Sequence, residues 1–523
     1  MWHTFRRLIF IGSLLVAATG MASESAEVNL DYVAQRALAR ARAPFHSPRA
    51  DLPKVLRQDN LNYDKYREIR FRRDKALWTA DNLPFRIEFF HPGYLYQEPV
   101  HMYEFTPMHV QPIRFVQDFF DYGHLHNIAS QIPVNTGYAG FRVLYALNQP
   151  GQLDELGAFL GASYFRLLGK HLRYGESARG LALNCGEGDR PEEFPIFTDW
   201  WLGKPQKDDT ELHLFALLDS VSCTGAYEFF IRPGAMTTAS IKAILYFRKP
   251  DAVAAVEPNR KPIKTIGLAP LTSMFWFGQN SERRFDDYRT GVHDSDGLLV
   301  HMGNGEVFWR PLDNPAATRH QIFSAPNIKG FGLLQRERHF SAYQDMFNLY
   351  HEVPSVWVEP DGNWGDGDLH LVELSTTYEG LDNIVAFWDP KNKPAPLQPF
   401  RFGYTLYWEG GGADVRRSEN RVVSTRVGVD TQFAGARQFV IDFDGPRFDA
   451  IPESEPPVAV ASCSGGAHIA DNRVVRNKFL GTWRVILKMV PPADTNATVD
   501  MRCTLHEGTN AIGETWVYQW SPP

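Results

Sequence analysis

LHLFALLDSVSCTGAYEFFIRPGAMTTASIKAILYFR, residues 212–248, holds three apolar runs, LHLFALL, YEFFIRP and SIKAILYFR, parted by Asp, Gly and Pro. Short runs rich in Phe, Tyr, Ile and Leu and closed by turn-forming residues read as β-strands. The same texture continues on both sides, in FRIEFF (85–90), FRVLYAL (141–147), SYFRLLG (163–169), LHLVELS (369–375) and NIVAFW (383–388). Many short strands without regular intervening helices predict an all-β protein built on a large sandwich. One helix is expected near the start, in SAEVNLDYVAQRALARARAP, where Val33, Ala37 and Leu38 share a side before Pro44 ends the pattern.

A chain of 523 residues exceeds one ordinary core, so two domains are expected. The boundary falls at WEGGGADVRRS, whose three consecutive glycines follow the strand FRFGYTLYW. This places a large sandwich at 23–408, a linker at 409–414 and a second, immunoglobulin-like sandwich at 415–523, where RQFVIDF, WRVILKMV and ETWVYQW alternate with turns.

The first residues, MWHTFRRLIFIGSLLVAATGMASES, follow the order of a secretory signal peptide: Arg6 and Arg7, an apolar run from Leu8 to Ala18, then small residues. Residues 1–22 are therefore excluded from the fold, and the apolar run is too short to span a bilayer comfortably. The residues around the arginine pair match a twin-arginine signal poorly, which leaves the export route open. Export suits disulfides, and the four cysteines fall two to each half; pairing within each domain gives Cys185–Cys223 and Cys463–Cys503. Their spacing does not suggest zinc.

A net charge of −7 without acidic or basic blocks gives no reason to invoke nucleic acid or an anionic membrane. Aromatic content of 13% fits either a sandwich core or a groove for flat ligand faces such as sugar rings. Three polar segments gather acids with Trp and Arg. They are DDYRTGVHDSDGLLVHMGNGEVFWRPLDNP with Asp294, Trp309 and Arg310, KGFGLLQRERHFSAYQD with Arg338 and Tyr343, and PSVWVEPDGNWGDGDLHLVELSTTYEGLDNIVAFW with Trp364, Glu379 and Asp382. Carboxylates that exchange protons, Arg that binds hydroxyls and indole faces for sugar rings together point to carbohydrate chemistry.

Plainer readings stand beside this one. HDSD lacks the Gly and Glu placements of an EF-hand loop, so no metal or other cofactor is expected. HLH at 124–126 has strand spacing and reads as two satisfied or exposed histidines. Glu379 and Asp382 could simply be loop carboxylates capping a strand. No nucleophile elbow, phosphate loop, HExxH or dinucleotide fingerprint competes.

The stretches GASYFRLLG, TGAYEFFIRPG, LAPLTSMFWFG, HDSDGL, GNGEVFWRPLDNP, GFGLLQRERHFS, WGDGDLHLVEL, DNIVAFW and ETWVYQW, in this order, make the chain similar to the periplasmic glucan biosynthesis proteins G and D. The resemblance implies a galactose mutarotase-like or glycoside-hydrolase sandwich followed by an immunoglobulin-like domain, in the periplasm of a Gram-negative bacterium. It further implies hydrolysis of β-1,2-glucan with inversion, with Asp382 as general acid, Glu379 as its supporting carboxylate and Asp294 on the base side. Trp276, Trp309, Tyr343 and Trp364 are the expected stacking platforms, with Arg310 and Arg338 as hydroxyl ligands. Asp382 must hold a proton, which burial beside IVAFW and the like charge of Glu379 would favour. Transglycosylation on the same scaffold and a non-catalytic, glucan-binding role beside an inner-membrane synthase are the alternatives. Oligomeric state is not readable.

Overall fold

The structure, a computed structural model, describes residues 27–281, 285–411, 418–493 and 497–522. The signal-peptide reading at 1–22 and the linker residues 412–414 lie outside them. Among the described residues no helix is long and apolar enough to cross a membrane.

The protein is all-β, with a ten-stranded and a fourteen-stranded sheet as its largest elements. The quoted stretch forms three consecutive antiparallel strands of the larger sheet, Leu212–Asp219, Cys223–Arg232 and Thr237–Phe247. The N-terminal helix is Leu30–Ala41, capped by Asn29, whose Oδ1 accepts the Tyr32 N–H at 2.9 Å. It buries Val33, Ala34 and Ala37 against the outer face of these strands.

Alternation explains why the ten-stranded sheet has one apolar face and, over part of its width, one polar face. Across its neighbouring strands the register aligns Phe89, Phe141, Phe159, Phe165, Ala178, Leu271, Ala386 and Leu371. This row faces the larger sheet: Phe159 and Phe141 meet Trp200 edge to face at 4.9 and 5.2 Å, and Phe165 meets Phe229 at 5.6 Å. One residue along each strand, side chains point the other way. There the register carries Glu88, Arg142, Ala158 and Arg166, then Ser177 and Thr272. This second face is thus lined by polar groups, Glu88, Ser177 and Thr272 buried and Arg142 and Arg166 half-buried, with Arg142 bridging Glu88 and Glu155.

The C-terminal residues form a second sandwich that borrows a layer from the first. The four-stranded sheet of Arg421–Val429, Arg437–Asp444, Thr482–Val490 and His468–Asn477 packs over strands Val458–Cys463, Val499–Glu507 and Asn510–Trp520. Those three continue the fourteen-stranded sheet, because Asn510–Trp520 runs parallel to Val307–Pro311, with Trp516 opposite Trp309. The second core accordingly mixes Trp483, Trp516 and Phe439 with Trp309 and Trp357 of the first part. Arg336 locks the seam: its guanidinium lies 3.6 Å from the Trp309 ring centre and donates to both Glu514 carboxylate oxygens at 2.7 and 2.9 Å.

Two expectations are corrected here. The four cysteines are free thiols. Cys503 lies opposite Ala461 and Cys463 opposite Met501, so the pair is diagonal across the ladder, whose neighbours sit farther apart than a disulfide tolerates. Cys185 and Cys223 are each buried, in different core clusters. His126 opens a short helix, His126–Ala129, and HLH is not a strand.

Candidate functional site

Two aspartates are referenced to one short piece of backbone. Asp294 follows the strand Val292–His293, which pairs with Phe275–Phe277, and its N–H donates to the Met274 carbonyl at 2.8 Å. Asp382 precedes Asn383, which enters the strand Ile384–Pro390. Asn383 is fully buried and substitutes for a strand neighbour. Its Oδ1 accepts the Phe275 N–H at 2.8 Å, and its Nδ2 donates to the Phe275 and Leu374 carbonyls, each at 3.0 Å. Met274 and Phe275 thereby hold both acids in one frame.

Asp382 is half-buried, and its Oδ2 lies 3.5 Å from Arg166 Nη2, whose Nε donates to Ser177 Oγ at 2.6 Å. Burial raises the Asp382 pKa, opposed by Arg166. Asp294 is pushed further, to about 7, first by burial and then by the negative charge of Asp382, with Arg166 pulling down and Glu379 adding to the rise. The neighbours differ from those expected. Glu379 faces the Arg289 guanidinium at 2.6 Å and accepts the Tyr350 hydroxyl at 3.1 Å, so its charge is matched on its own side. The charge of Asp382 is thus one of the causes that hold the Asp294 pKa up.

A further acid sits behind Asp294. Glu176 is 1% exposed, and burial followed by the charge of Asp294 raises its pKa well above the usual carboxylate value. Its chain passes close to the site: a Cβ on Gly175 would stand 3.5 Å from that of Asp294. Asp296 has a structural task, accepting the N–H groups of Arg336 and Glu337 at 3.0 and 2.9 Å. It ties the segment that leads to Asp294 to the Arg336–Glu514 seam.

The other sequence candidates divide. Trp276 is half-buried and lies with its ring centre 6.0 Å from the Arg289 guanidinium, beside the acids. Trp309 is in the seam core beneath Arg336 and offers no face for a sugar. Arg310 is fully buried, paired with Glu373 at 2.9 Å and Gln321 at 3.0 Å. Tyr343 is fully buried against His293, with its hydroxyl donating to the Glu337 carbonyl. Arg338 donates to the Val353 carbonyl and to Ser355 Oγ. Trp364 packs on Trp388, six residues along the strand from Asp382 and so roughly 20 Å away. Burial corrects Trp309, Arg310 and Tyr343 to core residues, and Arg338 and Trp364 stand half-buried in the contacts just given. Arg166, Glu176, Arg289, Tyr350 and Asn383 escaped the sequence reading. For Arg166 the signal was present, a charged residue alternating with Phe165 and Leu167 in a strand.

Comparison with known proteins shows the family of the chain. Residues 28–520 match the family described as "Periplasmic glucan biosynthesis protein, MdoG". The chain is 40% identical to the probable glucans biosynthesis protein D of Shewanella oneidensis, over 98% of this chain and 92% of that protein. It is 40% identical to the glucans biosynthesis protein G of Ralstonia nicotianae, over 97% and 99% respectively, and 38% identical to that of Bradyrhizobium diazoefficiens, over 99% and 100%.

Proposed function

The chain belongs to the periplasmic glucan biosynthesis protein family, and on that premise we propose that it is an inverting glycoside hydrolase cleaving β-1,2-glucan in the periplasm. Asp382 is the general acid, Asp294 the acid on the base side and Glu379 the supporting carboxylate. One observation carries the reading: two aspartates share one frame and one electrostatic environment in which both pKa values are raised, Asp294 to about 7.

Up to a pH of about 7 such a pair retains a proton. In the free protein Asp294 competes well for it, because Arg166 stands beside Asp382. A sugar chain laid over Asp382 strips the remaining water from a side chain that is 37% exposed, and this raises its affinity for the proton. Asp382 then donates to the leaving glycosidic oxygen. Asp294, ionised, takes the proton from a water attacking the opposite face of the ring, directly or through a relay of waters and sugar hydroxyls. Arg289 keeps Glu379 in place, and Tyr350 fixes the orientation of its carboxylate.

The test is to incubate purified protein with linear β-1,2-glucan. New reducing ends whose initial anomeric configuration is inverted support the reading, and Asp382→Asn should abolish them while the protein remains folded. Cyclic or rearranged products would instead indicate transfer to a sugar hydroxyl. Unchanged polymer with measurable binding would indicate a scaffold, of the kind that could serve an inner-membrane synthase.

A further inference from the structure

Arg289 gathers three loops at the candidate site, and each of those loops displays an exposed aromatic side chain. The guanidinium, 9% exposed, donates to Asp287 through Nε and Nη2 at 2.9 and 2.8 Å, and through Nη1 to Asp345 at 2.8 Å and Glu379 at 2.6 Å. Next to Asp287 stands Tyr288, 73% exposed; two residues after Asp345 stands Phe347, 93% exposed; immediately before Glu379 stands Tyr378, 56% exposed. From these contacts we propose that Tyr288, Phe347 and Tyr378 form a rim of stacking platforms for sugar rings, organised by Arg289.

The rim is held rather than loose. Gln344 and Leu349, either side of the Phe347 loop, both adopt left-handed backbone, with φ of 57° and 52°. Between them Asp345 Oδ1 accepts the N–H groups of Phe347 and Asn348, each at 2.8 Å, and Asn348 Nδ2 reaches the Tyr350 hydroxyl at 3.3 Å. Those bonds fix the loop in a shape that points an apolar ring at water. Tyr378 is folded over Gly380: a Cβ there would meet its ring at 2.4 Å, which brings the ring to within two residues of Asp382. The Arg289 guanidinium lies 5.9 Å from the Tyr288 ring centre.

Aromatic faces beside carboxylates and a fixed guanidinium suit a ligand with apolar C–H faces and a belt of hydroxyls, which describes a pyranose chain. Three separate rings on three loops suit several consecutive sugar units. The identity of the sugar as β-1,2-linked glucose rests on the reading given under Proposed function; the rim itself rests on the loops.

Calorimetric titration of linear β-1,2-gluco-oligosaccharide into the Asp382→Asn protein tests the rim. Adding Tyr288→Ala, Phe347→Ala and Tyr378→Ala together should weaken binding at least 100-fold without lowering the melting temperature, since all three side chains are exposed. In the otherwise native protein, the same three changes should raise KM far more than they lower kcat. Gly380→Ala, which displaces the Tyr378 ring without deleting it, should cause a smaller loss. If the native protein cleaves glucan and the triple variant keeps its affinity and KM, the rim is overturned while the hydrolase reading survives. If the native protein binds without cleaving and the triple variant loses binding, the hydrolase reading falls and the rim stands. No binding by either protein overturns both.

Discussion

Asn383→Ala isolates the frame that holds the two aspartates. The side chain is fully buried and closes three hydrogen bonds, to the Phe275 N–H and to the Phe275 and Leu374 carbonyls. Two lost bonds at about 1 kcal/mol each, plus roughly 1–3 kcal/mol for a buried N–H left without an acceptor, sum to a destabilisation of about 4 kcal/mol. That is a large share of the stability of a typical domain, so the variant should unfold at distinctly lower urea concentration. Freed from Phe275, the Asp382 loop should also drift relative to Asp294, and a displacement near 1 Å lowers turnover about 100-fold. Urea titration followed by tryptophan fluorescence, with glucan cleavage assayed at a temperature where the variant is still folded, reads both effects. An Ala variant within about 0.5 kcal/mol of the parent and equally active would refute the idea that Asn383 sets the spacing of the acids.

Other predictions follow from the charges. Arg166 lowers the pKa of both aspartates, so Arg166→Gln should move the whole pH–rate profile for glucan cleavage to higher pH; an unmoved profile would separate Arg166 from the pair. The folded Asp294 carboxyl keeps its proton up to about 7, whereas an unfolded one releases it near the ordinary carboxylate value. Its ionisation therefore costs native stability progressively between those values. Asp294→Asn should be more heat-stable than the parent at pH 8, with that advantage shrinking as pH falls towards 4; a less stable variant at pH 8 would contradict the assignment. All four cysteines should react with a thiol reagent in denaturant without reductant, and Cys185, Cys223 and Cys503 should be protected in the native protein, where burial pushes their thiols up. Failure to find four thiols would restore a disulfide.

The strands were legible because each is a short apolar run between turn residues, and the helix at Leu30–Ala41 because its apolar spacing is uninterrupted. Exposure was not legible. Trp309 and Tyr343 lie among acids in the sequence but under a layer of protein in space, because a sheet extends across the seam and a loop covers His293. Conversely Phe347 and Tyr378 lie in segments whose sequence gives no sign that a buried guanidinium holds them open. The contacts that matter most join residues far apart in the chain, Arg166 with Asp382 and Asn383 with Phe275, and no local pattern encodes such a meeting. The cysteine pairing missed for a similar reason: separation along the chain says nothing about diagonal register.

The seam between the two sandwiches reaches to the candidate site. From Glu514 through Arg336 to Asp296, a run of short contacts ends two residues from Asp294. The distal sandwich and the turn that carries Asp294 are thus two ends of one unbroken run of polar contacts.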